Sequence, residues 1–133
     1  MPLPTDYAER KLWQMWTFLI EYFPDAFEEV VRVAIAGNQQ HNPGEPLHWA
    51  RGKSADQMNT AFRHMWDHKR VGPLDTDGCF HLAKAIWRLS AELQLTLEAE
   101  ATQNMFLNTI GDSSGWDLYG DPDSSKAGND AKK

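Results

Sequence analysis

The sequence has a single cysteine, Cys79, so no internal disulfide can form, which fits a reducing compartment. It is short of positive charge: 13 Lys and Arg stand against 19 Asp and Glu, for a net charge of −6. No stripe of Lys and Arg is present, and without one the phosphates of a duplex cannot be neutralised, which excludes duplex nucleic acid as the main partner. No apolar run approaches the roughly 20 residues that span a bilayer, so no membrane partner is expected. The opening MPLPTDYAERK lacks the basic-then-apolar layout of a signal peptide, and the expected location is the cytoplasm. No run alternates apolar and polar residues as a half-buried strand does. A Gly-rich phosphate loop and a Gly-x-Ser-x-Gly elbow are also missing. Cys79 and His81 are two residues apart, a spacing that points them to different sides of a helix, so a thiol nucleophile is excluded as well. What remains is helices, and chemistry of acids and metals with water as nucleophile.

Helical spacing runs through most of the chain. Leu12, Trp16, Leu19, Ile20 and Phe23 predict a first helix capped by Thr5 or Asp6. Pro24 marks a boundary or kink. A second helix is expected from about Asp25 to a stop at Gly37-Asn38, with Glu28 and Arg32 as an i,i+4 pair. The stretch 38–53 reads as a long loop carrying His41, His48, Trp49 and Arg51, residues costly for a spacer. Ser54 and Gln57 match a capping box for a third helix that buries Met58, Ala61, Phe62 and Met65. Thr76 or Asp77 should cap a fourth, with a seam of Ala83, Ile86, Leu89, Leu93 and Leu97. The expectation is one all-α domain over residues 1–110, an antiparallel bundle of about four main helices. The remainder, 111–133, rich in Gly, Ser, Asp and Lys, reads as a mostly disordered tail, with Trp116, Leu118 and Tyr119 able to clip onto a neighbour.

The chemistry concentrates between Asn59 and Trp87. His64, Asp67 and His68 share a helix face, as do Asp77 and His81. Imidazoles and carboxylates one turn apart can chelate a divalent ion, and Arg63 adds a phosphate contact. The plain alternative is a solvated, charged helix end with Asp75 and Asp77 serving as helix caps.

Phe27–Leu95 resembles the phage and bacterial dATP/dGTP diphosphohydrolase-like proteins. The resemblance is carried by Glu28-Glu29-Val30, Gly37, His41-Asn42, His48-Trp49, Arg63-His64, the acidic loop and Asp77-Gly78-x-x-His81-Leu82-Ala83. Gln40-His41, His48-Trp49 and Gly78-Cys79-Phe80 depart from the family's usual wording. The resemblance implies a MazG-like bundle, host cytoplasm for a bacteriophage protein, and assembly as a homo-oligomer, dimer or tetramer. It also implies Mg2+, with Mn2+ as a substitute, and cleavage of a purine deoxynucleoside triphosphate to monophosphate and pyrophosphate. On that reading Glu28, Glu29, Asp67 and Asp77 hold the metal, with Glu28, Glu29 and Asp77 catalytic. His41, His48, Trp49, Lys53, Arg63, His64 and His81 then contact the nucleotide. The two Glu-x-x-Glu/Asp pairs of MazG-type enzymes are incomplete here. The rival expectation is therefore a helical protein that binds or sequesters a nucleotide without turnover, and a third is a helical partner-binding protein.

Overall fold

A computed structural model of the chain describes residues 3–112 and shows an all-α fold packed as a helical bundle. Four α-helices occur among the described residues: α1 (Tyr7–Leu12), α2 (Pro24–His41), α3 (Gln57–Arg70) and α4 (His81–Asp112). The tail expected from 113 onward, with Trp116, Leu118 and Tyr119, lies outside the described residues. Among the described residues, 3–95 form one compact unit and 96–112 belong to a second, with α4 entering both. Among the described residues no helix is long and apolar enough to cross a membrane.

The first predicted helix is interrupted. Asp6 caps α1 as expected, its Oδ1 accepting from Glu9 N at 2.9 Å. At Trp13 the backbone leaves the helical region, and a single turn of wider π-helix follows at Thr17–Glu21. Trp13, Trp16, Phe18 and Tyr22 remain exposed, so no buried apolar stripe holds this segment to one continuous helix.

Pro24 starts α2 rather than kinking it, because a first-turn residue needs no free N–H. Gly37 does not stop α2, which runs on to His41. Its end comes where Asn42-Pro43-Gly44 cannot continue a helix. His41 therefore stands on the last turn of α2 instead of in the loop.

Ser54 does not cap α3. Asp56 holds the cap position, and Gln57 Nε2 donates to the Ser54 carbonyl at 3.1 Å. Asp75 and Asp77 do not cap α4, which begins at His81. They shape the loop before it. Asp75 Oδ1 accepts from Thr76 N at 2.7 Å and Asp77 Oδ1 from Cys79 N at 3.0 Å. Leu74 and Phe80 close this loop as an isolated antiparallel bridge. Gly78 takes φ +81°, a conformation that disfavours any residue with a Cβ.

The faces turned inward are not the apolar ones. On α3 the buried residues are Gln57 and Ala61, with His64 next along the same face. On α4 the inner positions include His81, Ala85 and Ala91, with Lys84 and Arg88 half-buried between them. Gln57 meets Arg88 and His64 meets His81, so the two helices run antiparallel. Met58, Phe62 and Met65, expected inside, are exposed, as are Ile86, Leu89, Leu93 and Leu97 of the expected seam. The buried apolar residues are Ala61, Cys79, Ala83, Ala85 and Ala91. Small side chains bring α3 and α4 close enough for their polar groups to touch.

Candidate functional site

The end of α2, the loop after it, α3 and the start of α4 border a cavity of about 790 Å3 in the first unit. The C-terminal half of α2 supplies one wall, ending in Asn38, His41 and Asn42. The following loop supplies His48, Trp49, Lys53 and Ser54. Helices α3 and α4, with the loop between them, supply Gln57, His64, Asp77, Lys84, Trp87 and Arg88. Formal charges on the lining are three positive (Lys53, Lys84, Arg88) and one negative (Asp77), which leaves +2 in a chain of net −6.

Arg88 anchors one side of the cavity. Its Nη1 donates to Ser54 Oγ and to Gln57 Oε1, both at 3.1 Å. Gln57 is 2% exposed and thus a rigid support. Both acceptors are neutral. Burial, and then the nearby Arg63, push the Arg88 guanidinium below its ordinary range. A half-buried cation held by neutral acceptors retains strong attraction for an anion.

Trp49 and Trp87 meet edge to face, centroids 6.1 Å apart at 82°. The Arg51 guanidinium lies 4.3 Å over the Trp49 ring and fixes its orientation. Lys53 Nζ donates to Asn42 Oδ1 at 3.0 Å, tying the loop to the end of α2. His48 Nδ1 is 3.0 Å from the Pro46 carbonyl oxygen.

Beside the cavity sits a group of metal-ligating side chains. Ligand atoms of His64, Asp75 and His81 lie within 4.8 Å of one another. His64 Nδ1 and His81 Nδ1 are 3.1 Å apart, and His81 is 4% exposed. His81 Nδ1 stands 4.0 Å from Asp75 Oδ2. Burial, followed by the Lys84 charge, lowers the His64 pKa and favours the neutral ring a metal requires. Two imidazoles and one carboxylate suit Mn2+ and other divalent ions that accept nitrogen. Mg2+ prefers oxygen donors throughout. The donor chemistry therefore fits a divalent metal.

Lys84 completes the arrangement. Its Nζ donates to Asp75 Oδ2 at 2.7 Å and to Asp77 Oδ2 at 2.6 Å. The hydrogen bond from Lys84, then that from the Thr76 backbone, lowers the Asp75 pKa to about 2. For Asp77, burial pulls upward, but Lys84 and the Cys79 N–H outweigh it and the net direction is down. Burial, then Asp77, pushes the Cys79 thiol up, which makes it a poor nucleophile.

The structure distributes the sequence-predicted residues unevenly. His41, His48, Trp49, Lys53, His64 and Asp77 all line the cavity. His81 lies against His64. Arg63 is exposed and donates to Thr60 Oγ1 at 3.0 Å, away from the lining set. Glu28 and Glu29 are both held by Arg32, at 2.6 and 3.3 Å. Asp67 lies on α3, where its carbonyl accepts from Val71 N and Gly72 N. The four carboxylates Glu28, Glu29, Asp67 and Asp77 form no common group among the described residues; the donors that converge are His64, Asp75 and His81.

Sequence reasoning missed Arg88, Gln57, Lys84 and the ligating role open to Asp75. For Arg88 and Lys84 a signal existed: with His81 they recur every three to four residues, a polar stripe on the otherwise apolar stretch 81–89 at the start of α4.

No curated protein and no solved structure matches the chain. One family model does, the dATP/dGTP diphosphohydrolase N-terminal family, over residues 5–105. The matched span contains all four walls of the site: the end of α2, the 42–54 loop, α3 and the start of α4. The motifs His48-Trp49, Arg63-His64 and Asp77-Gly78-x-x-His81 fall within it. By a match over most of its length, the chain belongs to the dATP/dGTP diphosphohydrolase N-terminal family.

Proposed function

We propose that the protein is a metal-dependent hydrolase that cleaves a purine deoxynucleoside triphosphate to monophosphate and pyrophosphate. The observation that carries this reading is the +2 lining of a roomy, aromatic-walled cavity in an acidic chain. A polyphosphate is the natural occupant of such a cavity, and Trp49 with Trp87 offers a flat apolar wall to a purine.

In this reading Arg88 and Lys53 hold the phosphate chain. Arg88 offers planar donors, and its own supports, Ser54 and Gln57, keep it from following the substrate. His41 and His48 border the base or sugar. His64, Asp75 and His81 hold the divalent ion. Such an ion supplies charge neutralisation at the phosphates and a more acidic water. Mg2+ would instead enter with the substrate's phosphates, where all donors are oxygen. Asp77, ionised at neutral pH and lining the cavity, orients the attacking water. The water oxygen bonds to the α-phosphorus, and the α–β bridging oxygen leaves with pyrophosphate. Glu28 and Glu29, held by Arg32, have no part in this scheme.

A second reading is nucleotide sequestration without turnover. It is favoured by Lys84, which occupies both loop carboxylates. The deciding experiment incubates the purified chain with each ribo- and deoxynucleoside triphosphate and Mg2+ or Mn2+, followed by chromatography of the products. Monophosphate plus pyrophosphate from dATP or dGTP is expected. Tight retention without product would replace hydrolysis by sequestration, and neither product nor retention would refute both.

We infer further that the protein works as a homo-oligomer in the cytoplasm. Among the described residues no Leu, Ile, Val, Met, Phe or Trp is fully buried. Phe62 and Trp66 stack with centroids 6.1 Å apart on the outside of α3. Apolar stripes this extensive are normally covered by another chain.

A further inference from the structure

Asp75 Oδ2 is claimed from two sides. Lys84 Nζ sits 2.7 Å from it, and the same oxygen faces His81 Nδ1 at 4.0 Å. It is thus the carboxylate atom that faces His81 and also the atom that carries the Lys84 hydrogen bond. An ammonium and a divalent ion cannot share one carboxylate oxygen at bonding distance without strong mutual repulsion, least of all where solvent is largely shut out. Lys84 is 16% exposed and Asp75 24%, so water screens this pair only in part.

Lys84 also has somewhere to go. It lines the cavity that Lys53 and Arg88 make electropositive. Its four-carbon stem is flexible and its ammonium is a compact charge without a fixed fork, so moving a few ångströms costs little. Asp77, at 2.6 Å, can keep one hydrogen bond to it after Asp75 is surrendered.

We propose that Lys84 is a built-in competitor for the metal: an internal cation that holds the Asp75–Asp77 loop when no ion is bound and must release Asp75 for one to bind. Lys84 thereby sets the metal affinity of the His64–Asp75–His81 group. The proposal rests on the reading of that group as the metal centre.

The test compares the full-length wild-type chain with Lys84→Gln and Lys84→Arg, titrated with Co2+ or Mn2+ alone. Co2+ is read by visible absorption and both ions by calorimetry. Lys84→Gln leaves Asp75 uncompensated and is expected to bind roughly tenfold tighter or more, whereas Lys84→Arg retains the competing charge and should stay close to wild type. Adding His81→Gln to Lys84→Gln is expected to abolish the gain. In the 15N-labelled wild-type chain, titrated with diamagnetic Zn2+, the Lys84 ammonium resonance is expected to shift as the ion saturates. Affinity unchanged by Lys84→Gln, or an ammonium resonance unmoved at saturation, overturns the competitor role while leaving the metal centre intact. Absence of binding in every chain, Lys84→Gln included, overturns the metal centre and the competitor together. If Lys84→Gln fails to fold by circular dichroism, the wild-type resonance decides alone.

Discussion

Replacing Asp75 by Asn should weaken the fold in a manner that depends on pH. Lys84 and the Thr76 N–H hold the Asp75 carboxyl at about 2 against an ordinary 3.8. At about 1.4 kcal/mol per tenfold change, that displacement corresponds to roughly 2.5 kcal/mol. The side chain keeps 24% of its exposure. Solvent screening reduces the expected value to about 1–2 kcal/mol. The sign follows from the lowered value. Asp75 contributes fully above pH 4 and loses its contribution as pH falls through the window from 3.8 to about 2. Urea unfolding of wild type and Asp75→Asn, in chelator at pH 7, 4 and 2.5, measures this directly. The gap between the two chains should be widest at pH 7 and narrow towards pH 2.5. A gap that is constant over this range, or absent at pH 7, would refute the assignment of the Asp75–Lys84 pair as a stabilising charge interaction.

Arg88→Met should raise the Kd for a nucleoside triphosphate about tenfold or more by calorimetry, and should cost roughly 1–3 kcal/mol of stability because the buried Gln57 Oε1 loses its donor. Ala61→Leu should destabilise by about 1–3 kcal/mol in denaturant melts, since a fully buried methyl at the α3–α4 contact leaves no room for three more carbons. Trp66→Glu places a charge on the exposed Phe62–Trp66 stack and should lower the mass of the proposed homo-oligomer seen by light scattering; a monomeric wild type would refute the assembly, and an oligomer of unchanged mass would put α3 outside its interface. Metal affinity should hold through pH 6.5 and fall only at lower pH, because burial and then the Lys84 charge lower the His64 pKa from its ordinary 6.5 and keep the ring neutral there; calorimetry at pH 7.5, 6.5, 5.5 and 4.5 checks this.

The all-α class is legible in the sequence, because an amphipathic period of three to four residues is a local property of the chain. The sequence also placed the α1 cap at Thr5 or Asp6, of which Asp6 serves, but it ended α2 at Gly37-Asn38, whereas the helix runs on to His41 and stops only where Asn42-Pro43-Gly44 cannot continue it. The site was legible as a set of residue types in the right stretches, with His41, His48, Trp49, Lys53, His64 and Asp77 now lining one cavity. Which of them act together depends on how the helices pack. Ser54 and Gln57 have capping-box spacing, yet they hold Arg88, which lies more than thirty residues away in the chain. Asp75 and Asp77 resemble helix caps, yet they face Lys84. Glu28 and Glu29 satisfy an i,i+3 and i,i+4 geometry with Arg32 that is available within α2 alone. Hydrophobic pattern predicted that the leucine seam of α4 faces inward, but within the single chain the inward face is the His81–Lys84–Arg88 stripe. Periodicity identifies a face that avoids water and is silent on which neighbour covers it; the pairing of α3 with α4 is fixed by contacts between residues far apart in sequence.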